Sequence, residues 1–381
     1  MNCKKVILLR SNPVNPDPPV EKMAETLLEQ GYSVTVVGWD RERKYKSQEE
    51  TILLQNGQVL PIVRFGIPAV YGGGIKKTLK ALLTFQRRLK SWLKTHKDNF
   101  DIIHAFDFDT GFVAKGIAKK YKKKLIYHIL DFYVDSHPSG GRIVRNIVKK
   151  AEWSVINFAH TTILCTEKRK EQIVGSKPKK LVVIHNTPKM IEGNILDREK
   201  APLKSIKIVY VGIFGEGRLL PELLEVVSEN PCFELHIGGF GGLENLIRNF
   251  ANTNENIFYY GKMAYKDVIE LESNCDIMTA IYDPQVLNHK YAAPNKFYES
   301  LMLGKPLIMV KDTGWDEIVE KNRIGCLIDY DKEGLKEGLY KVKELLNDQE
   351  LRERSQNLYL QEYSWDLMKK RIVTLYGELG E

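Results

Sequence analysis

The apolar positions divide the chain into short continuous runs alternating with amphipathic stretches. Val6-Ile7-Leu8-Leu9 has the length and composition of a buried strand. Met23, Leu27 and Leu28 recur at helical spacing between Glu21 and Gln30, and Gly31 ends that pattern. The valine-rich stretch from Tyr32 to Gly38 predicts a second strand. Residues 51–63 predict a strand pair turning at Asn56-Gly57. Leu79, Leu82, Leu83, Phe85, Leu89, Trp92 and Leu93 predict a long helix over 76–96, entered through Tyr71-Gly72-Gly73-Gly74. Strands over 101–107 and 125–131 flank another helix, and a basic helix with Arg142, Arg145, Lys149 and Lys150 follows. Residues 161–165 and 181–184 read as the last strands of this half.

The second half repeats the alternation. Strands are expected at 206–211, 233–237, 257–260 and 277–281, with helices at 219–227 and 266–275 between them. Strand–helix alternation implies parallel sheets covered on both faces. The predicted architecture is therefore α/β, with two Rossmann-like parallel-sheet domains facing a cleft. Residues 1–185 form the first domain, 186–204 a linker without periodicity, 205–364 the second domain and 365–381 a final helix. A chain of 381 residues suits two domains of ordinary size. The first loop, Ser11 to Pro19, has four prolines and no Gly-x-Gly-x-x-Gly fingerprint, so it is not a standard dinucleotide site.

Candidate chemistry concentrates in the run from Tyr291 to Ile308, which contains Pro294-Asn295-Lys296-Phe297-Tyr298-Glu299 and Gly304-Lys305-Pro306. Proline suits a helix entry and glycine its exit. The backbone N–H groups of Asn295, Lys296 and Phe297, with the positive end of the helix dipole, predict an anion site, and Lys296 adds a full charge. Glu299 sits one turn in, where a carboxylate can accept bonds from a ribose diol. Ligands of parallel sheets bind beyond the strands' carboxyl ends. The stretch Gly212-Ile213-Phe214-Gly215-Glu216-Gly217-Arg218 follows such a strand. Gly212 and Gly215 let the backbone approach a ligand, and Arg218 can hold a diphosphate and stabilise it as it departs. Lys262 is a further candidate phosphate ligand. Gly238-Gly239-Phe240-Gly241-Gly242 is a second glycine-rich strand end. In the first half, His128 and Asp131 end a strand, and Asp107 ends another.

The Pro-Asn-Lys-aromatic-x-Glu run followed by Gly-Lys-Pro resembles the donor-site motif of retaining glycosyltransferases of family four, many of them bacterial. The resemblance covers most of 205–381 and extends more faintly over 1–190. It implies the GT-B architecture, a final helix that crosses back onto the first domain, and a nucleotide diphosphate sugar as donor. It implies that Glu299 binds ribose, that the loop ending at Arg218 meets the diphosphate, and that His128 contacts the donor sugar. Asp131 and Asp107 are then candidates to orient the acceptor or take its proton. Such enzymes are usually thought to use front-face attack, with the leaving phosphate receiving the proton. The pattern departs from the family at two points. Relatives often carry a glutamate where this chain has Tyr291, and a glycine where Leu219 follows Arg218.

Charge adds a partner. Residues 1–190 hold 34 Lys+Arg against 17 Asp+Glu, whereas the remainder holds 23 against 32. The helix over 76–96 mixes cations with leucine, phenylalanine and tryptophan and lacks acidic residues. That composition suits an anionic membrane surface. Nucleic acid would fit the charge as well, but no nucleic-acid motif is present. No apolar stretch approaches a transmembrane length. The five cysteines have no metal or redox spacing and suit a reduced, cytoplasmic interior. The sequence calls for neither a metal nor a resident cofactor. The resulting expectation is a cytoplasmic, peripheral-membrane hexosyltransferase acting on a lipid-linked glycan in cell-surface polysaccharide synthesis. A sugar-nucleotide epimerase of the same architecture and a non-catalytic sugar-nucleotide-binding or membrane-binding protein are the alternatives.

Overall fold

The computed structural model describes residues 4–69, 74–137, 141–190 and 205–379, with backbone alone for 74–77. The predicted Tyr71-Gly72-Gly73 entry and most of the predicted linker (191–204) lie outside the described residues. The chain divides into two compact units, 1–185 with 368–381, and 186–367.

The first unit runs β1 (Lys5–Leu9), α1 (Pro18–Glu29), β2 (Ser33–Asp40), β3 (Glu49–Leu53), β4 (Val59–Gly66), α2 (Gly74–Thr95), β5 (Ile102–Phe106), α3 (Asp107–Tyr121), β6 (Lys124–Ile129), α4 (Tyr133–Ser136), α5 (Arg142–Phe158), β7 (Thr161–Leu164) and β8 (Leu181–Val183). Its sheet has the order β3-β4-β2-β1-β5-β6-β7-β8. All pairs are parallel except β3 with β4, which form the predicted hairpin. Local chemistry sets the first helix. Asp17 caps α1 by accepting the Val20 N–H at 3.4 Å, Pro18 opens it, and Gly31 (φ 78°) lies just beyond its end. The core beneath α2 is aromatic, with Trp39 stacked on Phe85 at 4.9 Å. Phe85, Leu89 and Leu93 are buried, whereas Leu79 and Leu83 nearer the start of the helix are exposed.

The second unit runs β9 (Ile206–Ile213), α6 (Leu220–Ser228), β10 (Phe233–Phe240), α7 (Glu244–Thr253), β11 (Ile257–Gly261), α8 (Tyr265–Asn274), β12 (Ile277–Ala280), α9 (Asn295–Leu303), β13 (Leu307–Val310), α10 (Asp316–Asn322), β14 (Gly325–Ile328), α11 (Lys332–Leu345) and α12 (Leu351–Leu358). Its wholly parallel sheet has the order β11-β10-β9-β12-β13-β14. One face carries aliphatic packing around Ile208, Leu235 and Leu339. The other carries Phe297, Tyr298, Trp315 and Tyr363. Both glycine-rich segments begin inside strands, because β9 continues through Gly212 and β10 through Phe240. The final helix, α13 (Trp365–Glu378), has its residues from Met368 onward in the first unit, where the Tyr376 hydroxyl meets His104 Nδ1 at 2.8 Å.

Candidate functional site

Helix α9 places the second unit's candidates. Pro294 caps it with an extended backbone, and Gly304 ends it in the left-handed conformation (φ 65°). Two details correct the sequence reading of its first turn. The Phe297 N–H donates to the Pro294 carbonyl at 3.0 Å, so the tip amides are those of Asn295 and Lys296. The Phe297 ring is buried on Trp315 at 4.0 Å, so it anchors the helix instead of lining a site. Asn295 is exposed, and its Oδ1 accepts from Asn186 Nδ2 at 3.2 Å.

Lys296 and Arg218 converge on a pair of tyrosines. Lys296 Nζ lies 4.6 Å from the centre of the Tyr210 ring. A Cβ on residue 212 would come within 2.9 Å of that ammonium, so Gly212 leaves it room. Gly215 is different: the nearest atom to its Cβ position is on Ile213 at 3.8 Å, and no protein atom there demands glycine. Arg218 stacks on Tyr282 at 4.2 Å, donates to the Gly217 carbonyl at 3.1 Å and lies 3.4 Å from His289 Nε2. His289 Nδ1 sits 2.8 Å from the Asp283 carbonyl, which assigns it the proton and leaves Nε2 as acceptor for Arg218. Neither cation forms a side-chain ion pair among the described residues. Burial opposes the charge on Lys296, but Tyr282, Tyr210, Glu299 and Glu272 outweigh it and hold its pKa above the ordinary lysine value. Two half-buried cations held on aromatic rings, neither in a side-chain ion pair among the described residues, have the chemistry to bind an anion.

Glu299 is buried one turn along, and the Tyr265 hydroxyl donates to its Oε1 at 3.1 Å. Glu272 of α8 is also buried, and its Oε2 has no partner among the described residues. Burial first, then the charge of Glu299, pushes the Glu272 pKa well above the usual carboxylate range. Sequence reasoning missed Tyr210, Tyr265, Glu272 and Tyr282. None lies at motif spacing from α9; strands β9 and β12 bring in Tyr210 and Tyr282, and the packing of α8 beside α9 brings in Tyr265 and Glu272. Lys262 stands apart: it is exposed and lies 5.2 Å over the Phe240 ring. Leu219 adopts φ 47°, a left-handed conformation that glycine takes more readily.

In the first unit, His128 and Asp131 end up in different surroundings. His128 is buried, with Nδ1 3.2 Å from His104 Nε2, while its own Nε2 has no partner among the described residues. Burial, then the neighbouring His104, drives its pKa well below the usual imidazole value, so it is neutral. Asp131 is exposed and pairs with the buried Arg169 at 3.0 Å. Asp107 adopts φ 59°, and its Oδ1 accepts the N–H groups of Leu130 at 2.8 Å and Asp131 at 3.1 Å. Its Oδ2 pairs with Arg10, which also meets Asp17 at 2.8 Å. Asp107 therefore organises the strand ends. Arg10 and Arg169, which close this network, were not singled out from the sequence.

Two family models match in tandem: Glycosyltransferase Family 4 over residues 20–187 and Glycosyl transferases group 1 over 193–357. Comparison with curated protein sequences finds no match. Among solved structures, sucrose-phosphate synthase from Thermosynechococcus elongatus is similar at a TM-score of 0.75 and 14% identity, covering 99% of each chain. Anabaena HepE in complex with UDP is similar at a TM-score of 0.68 and 14% identity, covering 98% of this chain and 100% of that one. A glycosyltransferase from Rickettsia africae has a TM-score of 0.68 at 15% identity, covering 100% of both chains. With both halves matched by glycosyltransferase models and the two-sheet architecture shared with these structures, the chain is a glycosyltransferase of the GT-B fold.

Proposed function

We propose that the chain transfers a hexose from a nucleotide diphosphate sugar to a lipid-linked glycan, with retention of configuration, in bacterial cell-surface polysaccharide synthesis. The donor is held by the second unit. Its diphosphate lies between the α9 tip, Lys296 and Arg218, with Gly212 and Gly215 against the phosphates and Lys262 at the rim. Glu299 accepts the ribose hydroxyls, held in place by Tyr265. As the bond to the sugar breaks, negative charge grows on the diphosphate, and the two cations stabilise it where it forms. The leaving phosphate can then take the acceptor's proton. His128, neutral and with an unshared Nε2, suits a hydrogen bond to a sugar hydroxyl, not proton delivery. Asp131 orients the acceptor. No resident cofactor enters this scheme. The transfer takes place at the cytoplasmic face of the membrane, against which the basic first unit rests.

The carrying observation is the pair of cations, Lys296 and Arg218, seated on tyrosine rings at the sheet's carboxyl end and in no side-chain ion pair among the described residues. That the structurally similar HepE was solved with UDP and with UDP-glucose supports a nucleotide-sugar donor here. A thermal-shift screen of UDP-, GDP- and ADP-sugars, followed by calorimetry, tests the reading. Glu299→Ala removes a charged hydrogen-bonding group and should weaken donor binding about 10- to 100-fold. Undiminished donor affinity in that variant would overturn the assignment. Sugar transfer that depends on an added acceptor separates this reading from an epimerase, which turns the donor over alone.

A further inference from the structure

Helices α2, α3 and α5 follow the parallel strands β4, β5 and β6, and α3 packs against both of the others. Their first turns therefore lie at the strands' carboxyl ends, the end that carries Asp107, His128 and Asp131. Each helix exposes apolar side chains in its amino-terminal half: Leu79 and Leu83 on α2, Phe112 on α3, and Ile143, Val144 and Ile147 on α5. On α5 the exposure is large, at 77% for Ile143, 55% for Val144 and 62% for Ile147. Ile143 and Ile147 are one turn apart and so lie side by side. The helix's buried residues, Glu152, Val155 and Ile156, occupy the opposite face, so the two isoleucines point away from the unit's core. Scattered exposed aliphatics are ordinary, but three together at one helix end are not.

The exposed charges of α5 and α2 are cationic, while the acidic groups nearby are partly taken up, Asp135 lying 3.9 Å from Arg145 and Asp107, in the first turn of α3 with Asp109, pairing with Arg10. Helix α5 carries Arg142, Arg145, Lys149 and Lys150, and its one acidic residue, Glu152, is buried against the Tyr127 hydroxyl at 2.8 Å. Helix α2 adds Lys80, Arg87, Arg88, Lys90 and Lys94 with no acidic residue. Apolar side chains ringed by cations complement hydrocarbon beneath anionic headgroups. We propose that the amino-terminal turns of α5, together with those of α2 and α3, dock into an anionic lipid bilayer. Ile143 and Ile147 enter the acyl boundary, and Arg142 and Lys150 meet headgroup phosphates. This rests on the membrane-bound reading above and gives it a surface, which presents the acceptor end of the first unit to the bilayer.

Flotation with phosphatidylcholine vesicles, with and without phosphatidylglycerol, tests the proposal on the full chain. The wild type should float with the anionic vesicles at low salt and less at high salt. Ile143→Ser/Ile147→Ser, which changes no charge, should lower partitioning at least about tenfold. Arg142→Gln/Lys150→Gln should remove part of the salt-sensitive binding. The thermal shift given by UDP should be the same in every variant, which reports intact folding and donor binding separately from docking. Failure of UDP to bind the wild type would sink the donor reading and leave flotation to be judged alone. Unchanged flotation of the double serine variant, or none by the wild type, would overturn the docking surface. So would sedimentation showing a wild-type dimer that the serine variant dissociates, since the patch would then join two copies.

Discussion

Both units place two cations near the carboxyl ends of their strands and hold them in opposite ways. In the first unit Arg10 bridges Asp17 and Asp107, and Arg169 meets Asp131 at 3.0 Å and Gln172 at 2.7 Å. Those charges are neutralised within the protein and tie loops to strand ends. In the second unit Lys296 and Arg218 rest on the rings of Tyr210 and Tyr282, which orient a cation without cancelling it. The difference separates an ion-pair network from two cations held on aromatic rings and in no side-chain ion pair among the described residues. Residue type alone does not make that distinction, and the partner does.

Removing a cation from each unit should therefore damage different properties. Arg10→Met leaves the buried Asp17 and the half-buried Asp107 without the counter-charge they share. It should cost about 3–5 kcal/mol of stability in chemical denaturation. Donor affinity in whatever protein remains folded should be unchanged. Lys296→Met should do the reverse, weakening binding of a nucleoside diphosphate about 10- to 100-fold by calorimetry. Its melting temperature should fall by less than that of Arg10→Met, because no close ion pair is lost. A large stability loss in Lys296→Met with unaltered binding would erase the contrast.

The smallest effects sharpen the picture of the first unit's interior. Burial, only partly offset by the hydrogen bonds from Tyr127 and the Tyr133 N–H, raises the Glu152 pKa from 4.5 to about 8. Between those values the folded protein keeps a proton that the unfolded chain has lost, so stability falls as pH rises through that window. Burial lowers His104 from 6.5 to about 3. There the unfolded chain binds the extra proton, so stability falls as pH drops below 6.5. Glu152→Gln should flatten the first slope and His104→Gln the second, each by at most about 1.4 kcal/mol per pH unit. Denaturation midpoints across pH read both, and unchanged slopes would contradict the burial assigned to these groups.

Much of the architecture was legible because parallel strands are apolar runs and the helices between them are periodic. The helix predicted over 76–96 spans Gly74–Thr95, and the hairpin turns at Asn56-Gly57 as expected. Strand ends were less legible. Glycines look like loop residues, yet Gly212 and Gly239 lie in strands, because no side chain there has to be accommodated. In the candidate site, Lys296, Glu299 and Arg218 were readable from one local run and one glycine-rich turn. Their supports were not. Tyr265 and Glu272 lie 34 and 27 positions before Glu299, and only the packing of α8 beside α9 makes them neighbours. Leu219 shows the converse: a residue that departs from the family's motif adopts a left-handed backbone that glycine favours, at φ 47°.

The most direct test of the anion site compares a nucleoside diphosphate with its parent nucleoside, using the base selected by the thermal-shift screen. Calorimetry on wild type and Lys296→Met then measures the preference for the diphosphate in each. The account predicts a strong preference in the wild type that shrinks by about tenfold or more in the variant, with nucleoside affinity unchanged. An equal preference in both proteins would show that the phosphates are held elsewhere.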